Sequence, residues 1–216
     1  MGIIAACHGE MPDSATTRPP LRIMHPHPQD MPPETGQTLI AIARGAIARQ
    51  LNPDTRFNVP DADWLQAKRA SYVTLLHDGR LRGRTGTLEA QRTLAEDVMA
   101  NAVAAACKDP RFKPLGRDEF ANTRIEVCVL SALESLQTTD EAATLAQLRP
   151  GTDGVVLEYG CHRSSFLPEM WDHSADAAEF LARLKYQAGL PPDFWSPEVR
   201  IGRYTAIKWQ EKGPSA

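Results

Sequence analysis

The apolar residues of this chain recur with two different periods, which together predict a mixture of helices and strands. A period near four residues predicts three helices, over residues 38–51, 93–108 and 174–188. Strict alternation predicts strands over residues 71–76, 123–131, 155–159, 164–167 and 204–210. Because hairpins are mixed with single helices and no βαβ unit repeats, the predicted class is α+β, with a mainly antiparallel sheet packed by helices.

Turn and capping residues set the limits of several elements. Asp78-Gly79 predicts a tight hairpin turn after the strand at 71–76, and Ser174 is the predicted N-cap of the last helix. Residues 52–70 are predicted to form an irregular connector with Trp64 buried.

The second helix is predicted to bury one stripe and to approach a neighbour closely. The stripe consists of Leu94, Val98, Ala102 and Ala105. Close approach follows from the run Ala104-Ala105-Ala106, because the small side chain of alanine lets a neighbouring element come near the helix backbone.

Composition excludes several classes of protein. The 216 residues carry a net charge of −3 with 42% apolar residues, which predicts a packed domain and disfavours a general nucleic-acid-coating role. The four cysteines are scattered without a C-x-x-C pair, so no metal site and no cofactor is predicted. With neither a secretion signal nor an apolar run of about 18 residues, cytoplasmic residence with reduced thiols is expected.

Proline content divides the chain into a tail and a domain. Seven prolines lie between positions 12 and 33, so residues 1–34 are predicted to form a flexible proline-rich tail. The domain is predicted over residues 35–210, followed by a short C-terminal tail at 211–216.

Residues 81–87, hereafter the arginine–glycine segment, are the main candidate for a binding site. Arginine presents a planar fork of donors to carboxylate or phosphate, and glycine permits close approach of the backbone. The ligand-binding candidates are Arg82, Gly83, Arg84, Gly86 and Thr87. An alternative is that Arg82 ties the hairpin to an internal acidic group such as Glu126.

Four residues elsewhere are secondary candidates. Cys128 and Glu126 share one face of the strand at 123–131, although a thiol in this apolar run is also typical of core packing. Arg111 either contributes to a site or anchors its connector by a salt bridge. His162 follows Cys161, but pairing of their side chains requires turn geometry.

Three sequence stretches resemble one known family when taken together. They are Leu81-Arg82-Gly83-x-x-Gly86-Thr87, Asp109-Pro110-Arg111-Phe112 and Ile125-Glu126-Val127-Cys128-Val129-Leu130, followed by Gly154, Phe166-Leu167-Pro168 and Ala188-Gly189-Leu190 before Trp195. In this order and approximate spacing they resemble the AMMECR domain family, over residues 38–209.

The resemblance implies a compact α+β domain with a larger and a smaller lobe. It also implies partners, because family members are encoded beside, or fused to, a Memo-like protein and a radical-SAM protein, as component A of the AmmeMemoRadiSam system. One departure is clear: the family commonly has Leu-Arg-Gly-Cys-Ile-Gly, whereas this chain has Arg84 and Thr85 in place of Cys-Ile. A guanidinium cannot act as a thiolate nucleophile or metal ligand at that position.

Three functions follow as hypotheses, and the sequence leaves open whether the protein is an enzyme. The first is an accessory or catalytic component acting with Memo-like and radical-SAM proteins on a peptide or small anionic ligand. The second is a nucleic-acid-binding or regulatory module that uses Arg80, Arg82, Arg84 and Arg92 as a basic patch, which the acidic net charge disfavours. The third is a non-catalytic scaffold.

Overall fold

The computed structural model describes residues 31–137 and 140–211. Within these ranges the chain forms two compact units, a larger unit of residues 31–131 and 207–211 and a smaller unit of residues 132–206. Each unit contains one four-stranded antiparallel sheet with helices, which confirms the predicted α+β class. The predicted proline-rich tail up to position 30 and the C-terminal residues from 212 lie outside the described residues.

The elements follow one another in a simple order. The larger unit contains α1 (Thr35–Leu51), α2 (Asp63–Gln66), β1 (Ser71–His77), β2 (Arg80–Gly86), α3 (Leu94–Cys107), α4 (Arg117–Ala121) and β3 (Thr123–Leu130). The smaller unit contains β4 (Glu134–Leu136), α5 (Glu141–Gln147), β5 (Gly154–Tyr159), β6 (His162–Phe166), a 3-10 helix (Pro168–His173), α6 (Ala177–Gln187) and β7 (Arg200–Tyr204). The last strand is β8 (Ala206–Gln210), and the sheet orders are β2-β1-β3-β8 and β4-β7-β5-β6.

The two predicted amphipathic helices of the larger unit are confirmed as α1 and α3. In α1 the stripe of Leu39, Ala43 and Ile47 is fully buried, and the helix begins three residues earlier than predicted. α3 begins with a capping box, in which the Thr93 hydroxyl accepts from the Glu96 N–H and the Glu96 carboxylate accepts from the Thr93 N–H. No helix in the described ranges is long and apolar enough to cross a membrane.

The connector between α1 and β1 differs from the prediction in two respects. It contains the short helix α2, and the fully buried side chain there is Leu65, whereas Trp64 is only half-buried. A one-turn helix presents adjacent residues in different directions, so only one of these two neighbours can point into the core.

The β1–β2 hairpin is closed by the predicted two-residue turn. Asp78 and Gly79 both have positive φ, of 50° and 74°, as a type I′ turn requires. The turn directs the arginine–glycine segment back along β1 as the edge strand of its sheet.

A β-bulge interrupts this hairpin at Arg82. Leu75 pairs with Gly83 while Leu76 pairs with Leu81, so Arg82 is the extra residue on β2. A bulge bends the strand and turns the side chain of the extra residue away from the regular alternation. The irregularity of β2 therefore falls on an arginine beside a glycine.

The core of the larger unit lies between its sheet and the helices α1 and α3. Val73 and Leu75 of β1 and Ile125 and Val127 of β3 face these helices and are fully buried. The remaining side chains of β1 and β3, at alternate positions, belong to the other face of the sheet.

The smaller unit packs α6 and the 3-10 helix on its sheet. Phe180 of α6 is fully buried and stacks on Trp171 with ring centroids 3.7 Å apart. The predicted N-cap at Ser174 is wrong: Asp176 caps α6 by accepting from the N–H of Glu179, while Ser174 ends the preceding 3-10 helix. Both residues are good caps, and the unpredicted 3-10 helix decides between them.

The predicted last strand is also corrected. Residues 204–210 do not form one strand, because Tyr204 ends β7 in the smaller unit's sheet and Ala206 begins β8 in the larger unit's sheet. Alternation of apolar residues continues across Thr205, and periodicity alone does not reveal a change of sheet.

Candidate functional site

The glycines of the arginine–glycine segment are required by close packing. A Cβ on Gly83 would lie 2.1 Å from the carbonyl oxygen of Ala105 in α3, and one on Gly86 would lie 2.2 Å from the ring of Tyr72. The predicted close approach of α3 to a neighbour is therefore confirmed, with β2 as that neighbour. Gly83 therefore lets β2 pack closely on α3, and Gly86 lets it pack closely on the Tyr72 ring.

Arg82 is held by contacts within the larger unit. Its guanidinium makes a bidentate pair with the carboxylate of Glu119, in which Nε and Nη2 donate to the two oxygens. Nη2 also donates to the carbonyl of Lys113 at 2.9 Å, and the guanidinium carbon lies 5.6 Å from the ring centre of Phe112. The Arg82 hydrogen bonds hold the pKa of Glu119 below its ordinary value. The alternative that Arg82 ties the hairpin to an acidic group is therefore confirmed, but the acid is Glu119 and not Glu126, because the bulge turns Arg82 toward α4.

Arg84 and Arg111 meet at one buried carboxylate. Asp109 accepts the backbone N–H of Arg84 at 2.8 Å and both sides of the Arg111 guanidinium at 2.9 and 2.6 Å. The hydrogen bonds from Arg111, assisted by the Arg84 N–H, lower the pKa of Asp109 to about 2. The predicted salt bridge that anchors the Arg111 connector is confirmed.

Thr87 belongs to a second buried carboxylate cluster. The side chain of Asp97, 1% exposed, accepts from the Thr87 hydroxyl at 2.7 Å, from the Ser71 hydroxyl and N–H, from the Asn101 amide and from the Arg92 guanidinium. This cluster was not predicted. Its signal in the sequence is the pair of polar residues at 97 and 101, four apart beside the buried stripe of α3.

Strand register brings three candidates together on the sheet face turned away from α1 and α3. Thr74 lies opposite both Arg84 and Glu126, and Tyr72 lies opposite Cys128. We call these five residues the tyrosine face. The Arg84 guanidinium carbon lies 5.8 Å from the ring centre of Tyr72, and Tyr72, Thr74 and Cys128 are buried.

Glu126 has a cationic neighbour on this side of the sheet. Its carboxylate lies 3.7 Å from the ammonium of Lys208, and its side chain is 14% exposed. The expected sharing of one strand face by Glu126 and Cys128 is confirmed, since they alternate with the buried Val127.

His162 lies in the smaller unit, at the start of β6. Its Nδ1 donates to the carbonyl of Ala188 at 2.8 Å, which leaves Nε2 as the acceptor of the neutral ring. The ring stacks on Tyr159, with centroids 6.5 Å apart, while Cys161 is exposed in the preceding turn. The described structure therefore gives His162 a backbone partner within its own unit.

Two of the four arginines in the predicted basic patch are paired with carboxylates. Arg82 is paired with Glu119, and Arg92 is paired with Asp97 at 2.9 Å. Arg80 is exposed and makes no hydrogen bond or ion pair with any residue that the structure describes.

Comparison with known proteins identifies relatives along nearly the whole described chain. The model of the AMMECR1 family matches residues 40–209. A protein of Methanothermobacter thermautotrophicus is 36% identical over 184 residues, covering 83% of this chain and 96% of the relative. A protein of Methanocaldococcus jannaschii is 36% identical over 185 residues, covering 84% and 92%.

A solved structure is similar as well. The crystal structure of an uncharacterized protein from Pyrococcus horikoshii superposes with a TM-score of 0.76 at 30% identity, covering 84% of this chain and 93% of that one. The sequence relatives and the solved structure each match more than four fifths of this chain.

Proposed function

This chain belongs to the AMMECR1 family, and from that premise we propose that it is an accessory component that holds a peptide or small anionic ligand for Memo-like and radical-SAM partners. The observation that carries the proposal is the tyrosine face. Residues distant in sequence lie there on one sheet face, with Arg84 on one side of β1 and with Glu126 and Cys128 on the other.

The chemistry of the tyrosine face suits an anion with an unsaturated or apolar body. A guanidinium beside an aromatic ring provides both charge and a flat contact surface, and Thr74 adds a hydroxyl between Arg84 and Glu126. Because the neighbouring side chains are buried, a charge-assisted hydrogen bond formed there is stronger than one formed in water.

An accessory role is favoured over independent catalysis. The tyrosine face contains one carboxylate and one thiol but no imidazole, and the carboxylate of Glu126 already faces Lys208. General acid–base or nucleophilic catalysis requires a base aligned with a nucleophile, and these five residues do not supply that pair. The resemblance implies that the partners contribute the redox chemistry.

The proposal is tested by reconstitution with purified Memo-like and radical-SAM proteins encoded in the same genome. Complex formation is measured by size-exclusion chromatography with light scattering, and affinity by calorimetry. We expect assembly with the wild-type chain and weaker assembly or lost turnover with Arg84→Ala. Arg84→Lys should rescue only partly, because lysine lacks the planar fork.

Arg49→Ala is the matched control, since Arg49 is an exposed arginine at the end of α1. If neither partner binds the wild-type chain, the proposed function is wrong. It is also wrong if Arg84→Ala assembles with the partners as well as Arg49→Ala does.

A further inference from the structure

The turn of the β1–β2 hairpin is an Asp-Gly pair, a dipeptide in which the aspartate side chain readily reacts with the backbone. The chain contains two such pairs, Asp78-Gly79 and Asp153-Gly154. Glycine has no side chain, so its nitrogen meets little hindrance when it approaches the carboxyl carbon of the preceding residue. Bond formation between these two atoms closes a five-membered succinimide ring. The surroundings of the two pairs decide which of them reacts.

The pair in the hairpin turn is accessible to every reactant. The Asp78 side chain is 84% exposed, and both residues of the pair lie between the strands β1 and β2. No described atom outside its chain neighbours lies within 4 Å of a Cβ added to Gly79. In a two-residue turn the hydrogen bond is donated by the residue after the turn, so the Gly79 N–H is not held in the ladder. The nitrogen and the carboxyl carbon are therefore both open to reaction and to water.

The backbone at Asp78 also favours rotation out of its present conformation. Its φ of 50° is the only positive φ of a non-glycine residue in the described ranges. The left-handed region is unfavourable for an L-residue, so rotation out of it as the ring closes relieves strain. Residues 78–81 at the hairpin tip are all exposed, and such tips open locally at low cost because they have few buried contacts.

The second Asp-Gly pair has the opposite surroundings in the same chain. The Asp153 side chain is fully buried and binds the Arg149 guanidinium at 2.6 Å and the Arg149 backbone N–H at 2.9 Å. Gly154 belongs to β5, where an added Cβ would lie 2.3 Å from the Tyr204 ring. Ring closure there would break a buried ion pair and the pairing of Gly154 with Tyr204. Asp153-Gly154 is therefore an internal control for the pair in the turn.

We propose that Asp78 is a site of spontaneous isomerisation to isoaspartate. The Gly79 nitrogen attacks Cγ of Asp78 in its carboxylic acid form, and the N–Cγ bond forms while the amide proton and the carboxyl hydroxyl leave as water. A water molecule then adds to the backbone carbonyl carbon of Asp78 and breaks its bond to the Gly79 nitrogen. The chain now continues through Cγ. Because one water is released and one is taken up, the mass of the protein is unchanged.

Isomerisation changes the hairpin that carries the arginine–glycine segment. An isoaspartyl link adds one carbon to the backbone of the turn and leaves a carboxylate on Cα. A type I′ turn joins its strands through two residues of fixed length, so the longer link disturbs the pairing of His77 with Arg80. The bulged Arg82 follows directly, and its contact with Glu119 loosens as the protein ages. The inference goes beyond the proposed function, because none of these residues belongs to the tyrosine face.

The test ages the full-length protein at neutral pH for several weeks and maps isoaspartate by position. Trypsin cleaves after Arg69 and Arg80 and releases residues 70–80, in which the two isomers separate by chromatography and are assigned by electron-transfer fragmentation. Methylation by protein L-isoaspartyl methyltransferase counts the modified sites independently. We expect isoaspartate at position 78 to exceed that at position 153 at least about tenfold, because the buried pair must open before it reacts.

Two variants of the turn separate the reaction from the fold. Asp78→Asn keeps the turn, since Asn-Gly is a preferred type I′ pair. Its ring closure releases ammonia instead of water, and we expect aspartate and isoaspartate to form there faster than isoaspartate forms in the wild type. Gly79→Asn keeps a residue that tolerates positive φ, but its side chain hinders the attacking nitrogen. We expect isomerisation in Gly79→Asn to be several-fold slower.

The effect on the hairpin is read from two-dimensional NMR spectra of the aged, isotope-labelled protein. A second set of amide signals for residues 77–83 should grow in proportion to isoaspartate at position 78, while the signal of the Ser71 amide should stay single. Ser71 provides the reference because its N–H is held by the buried Asp97 at 2.9 Å.

Three results would overturn the proposal. They are isoaspartate at position 78 no more abundant than at position 153, an Asp78→Asn variant that keeps its mass through the same incubation, and a single set of signals for residues 77–83 after isoaspartate has formed. The first two contradict the reaction, and the third contradicts its effect on the arginine–glycine segment. Assembly with partner proteins is measured separately through Arg84 on fresh protein, so either proposal can fail while the other stands.

Discussion

The carboxylate of Asp109 accepts the backbone N–H of Arg84 at 2.8 Å, where β2 is the edge strand of its sheet. An unpaired edge N–H is a site for unwanted strand pairing, and a carboxylate from the connector after α3 occupies it here. Arg111 holds that carboxylate in place from the other side. One acidic residue thus joins the arginine–glycine segment to the Arg111 connector.

Replacing Asp109 by asparagine should lower the free energy of unfolding by roughly 2 kcal/mol at pH 7. The pKa of Asp109 is lowered from 3.8 to about 2, so its stabilisation is fully present above pH 4 and is lost as the pH falls toward 2. Urea unfolding followed by circular dichroism at pH 7, 4 and 3 measures the difference between wild type and Asp109→Asn. That difference should shrink below pH 4.

Asp118→Asn is the control, because Asp118 is exposed in α4. A constant difference between wild type and Asp109→Asn from pH 7 to pH 3 would contradict the role given to the Asp109 charge.

Gly83→Ala should destabilise the protein by about 3 kcal/mol, the upper end of the usual cost of overpacking. The added methyl group would lie 2.1 Å from the Ala105 carbonyl oxygen, and a backbone atom of a helix cannot turn aside as a side chain can. Thermal and urea unfolding measure the loss.

Gly116→Ala is the matched substitution for Gly83→Ala. The φ of Gly116 is −86°, and no described atom outside its chain neighbours lies within 4 Å of its added Cβ. Equal stability of the two alanine variants would show that β2 can move away from α3.

The Arg82–Glu119 pair should show a coupling energy of about 1 kcal/mol in a double-mutant cycle with alanine. The Arg82 side chain is 14% exposed and its two hydrogen bonds to the carboxylate fix the geometry, which favours a measurable interaction. Since the pKa of Glu119 is lowered, the contribution of the pair to the free energy of unfolding should be present at neutral pH. It should fall as the pH drops through the acid range and Glu119 is protonated. If the destabilisation of the double variant equals the sum of the two single variants, the two side chains do not interact and the pairing is contradicted.

Asp97→Ala should cost at least about 3 kcal/mol of unfolding free energy, because it leaves the buried Ser71 N–H without its acceptor and removes one acceptor of the Asn101 amide, which keeps the Ser71 carbonyl. Thr87→Val removes a single donor and should cost about 1 kcal/mol. Hydrogen exchange of the Ser71 amide provides a local measurement, and it should accelerate far more in Asp97→Ala than in Thr87→Val. A similar rate in both variants would place the stabilisation elsewhere.

Much of the fold was predictable because local chemistry decided it. The stripes of α1 and α3 and the Asp78-Gly79 turn follow from periodicity and backbone preference, and all three are confirmed. The cap of α6 and the split between β7 and β8 were not predictable in this way. The cap depends on the 3-10 helix that precedes α6, because it leaves Asp176 and not Ser174 at the N-terminus of the helix. The split between the strands depends on which of the two sheets each strand can pair with.

The sequence named candidate residues but did not give their geometry. The sequence identified Arg82 and Arg84 without revealing that a one-residue bulge directs the Arg82 side chain to Glu119. It likewise placed Glu126 and Cys128 on one strand face, while the position of Arg84 on the same face of the sheet follows from the pairing of β1 with both β2 and β3. Register across three strands depends on tertiary contacts, which a single sequence does not display.

The protein should show no saturable affinity for nucleic acid, even at low ionic strength. Of the four arginines in the predicted basic patch, Arg82 and Arg92 are neutralised by Glu119 and Asp97, and the net charge of the chain is −3. Filter binding of duplex and single-stranded oligonucleotides at roughly 20 mM salt measures this directly, because phosphate contacts are strongest there.

Glu119→Gln provides the complementary measurement. It leaves the charge of Arg82 unbalanced, so weak binding should first appear in this variant and decline steeply with salt. Wild-type binding that weakens with salt and is lost in Arg80→Ala would instead support the nucleic-acid hypothesis, because Arg80 is the exposed arginine of the patch without a described ion pair.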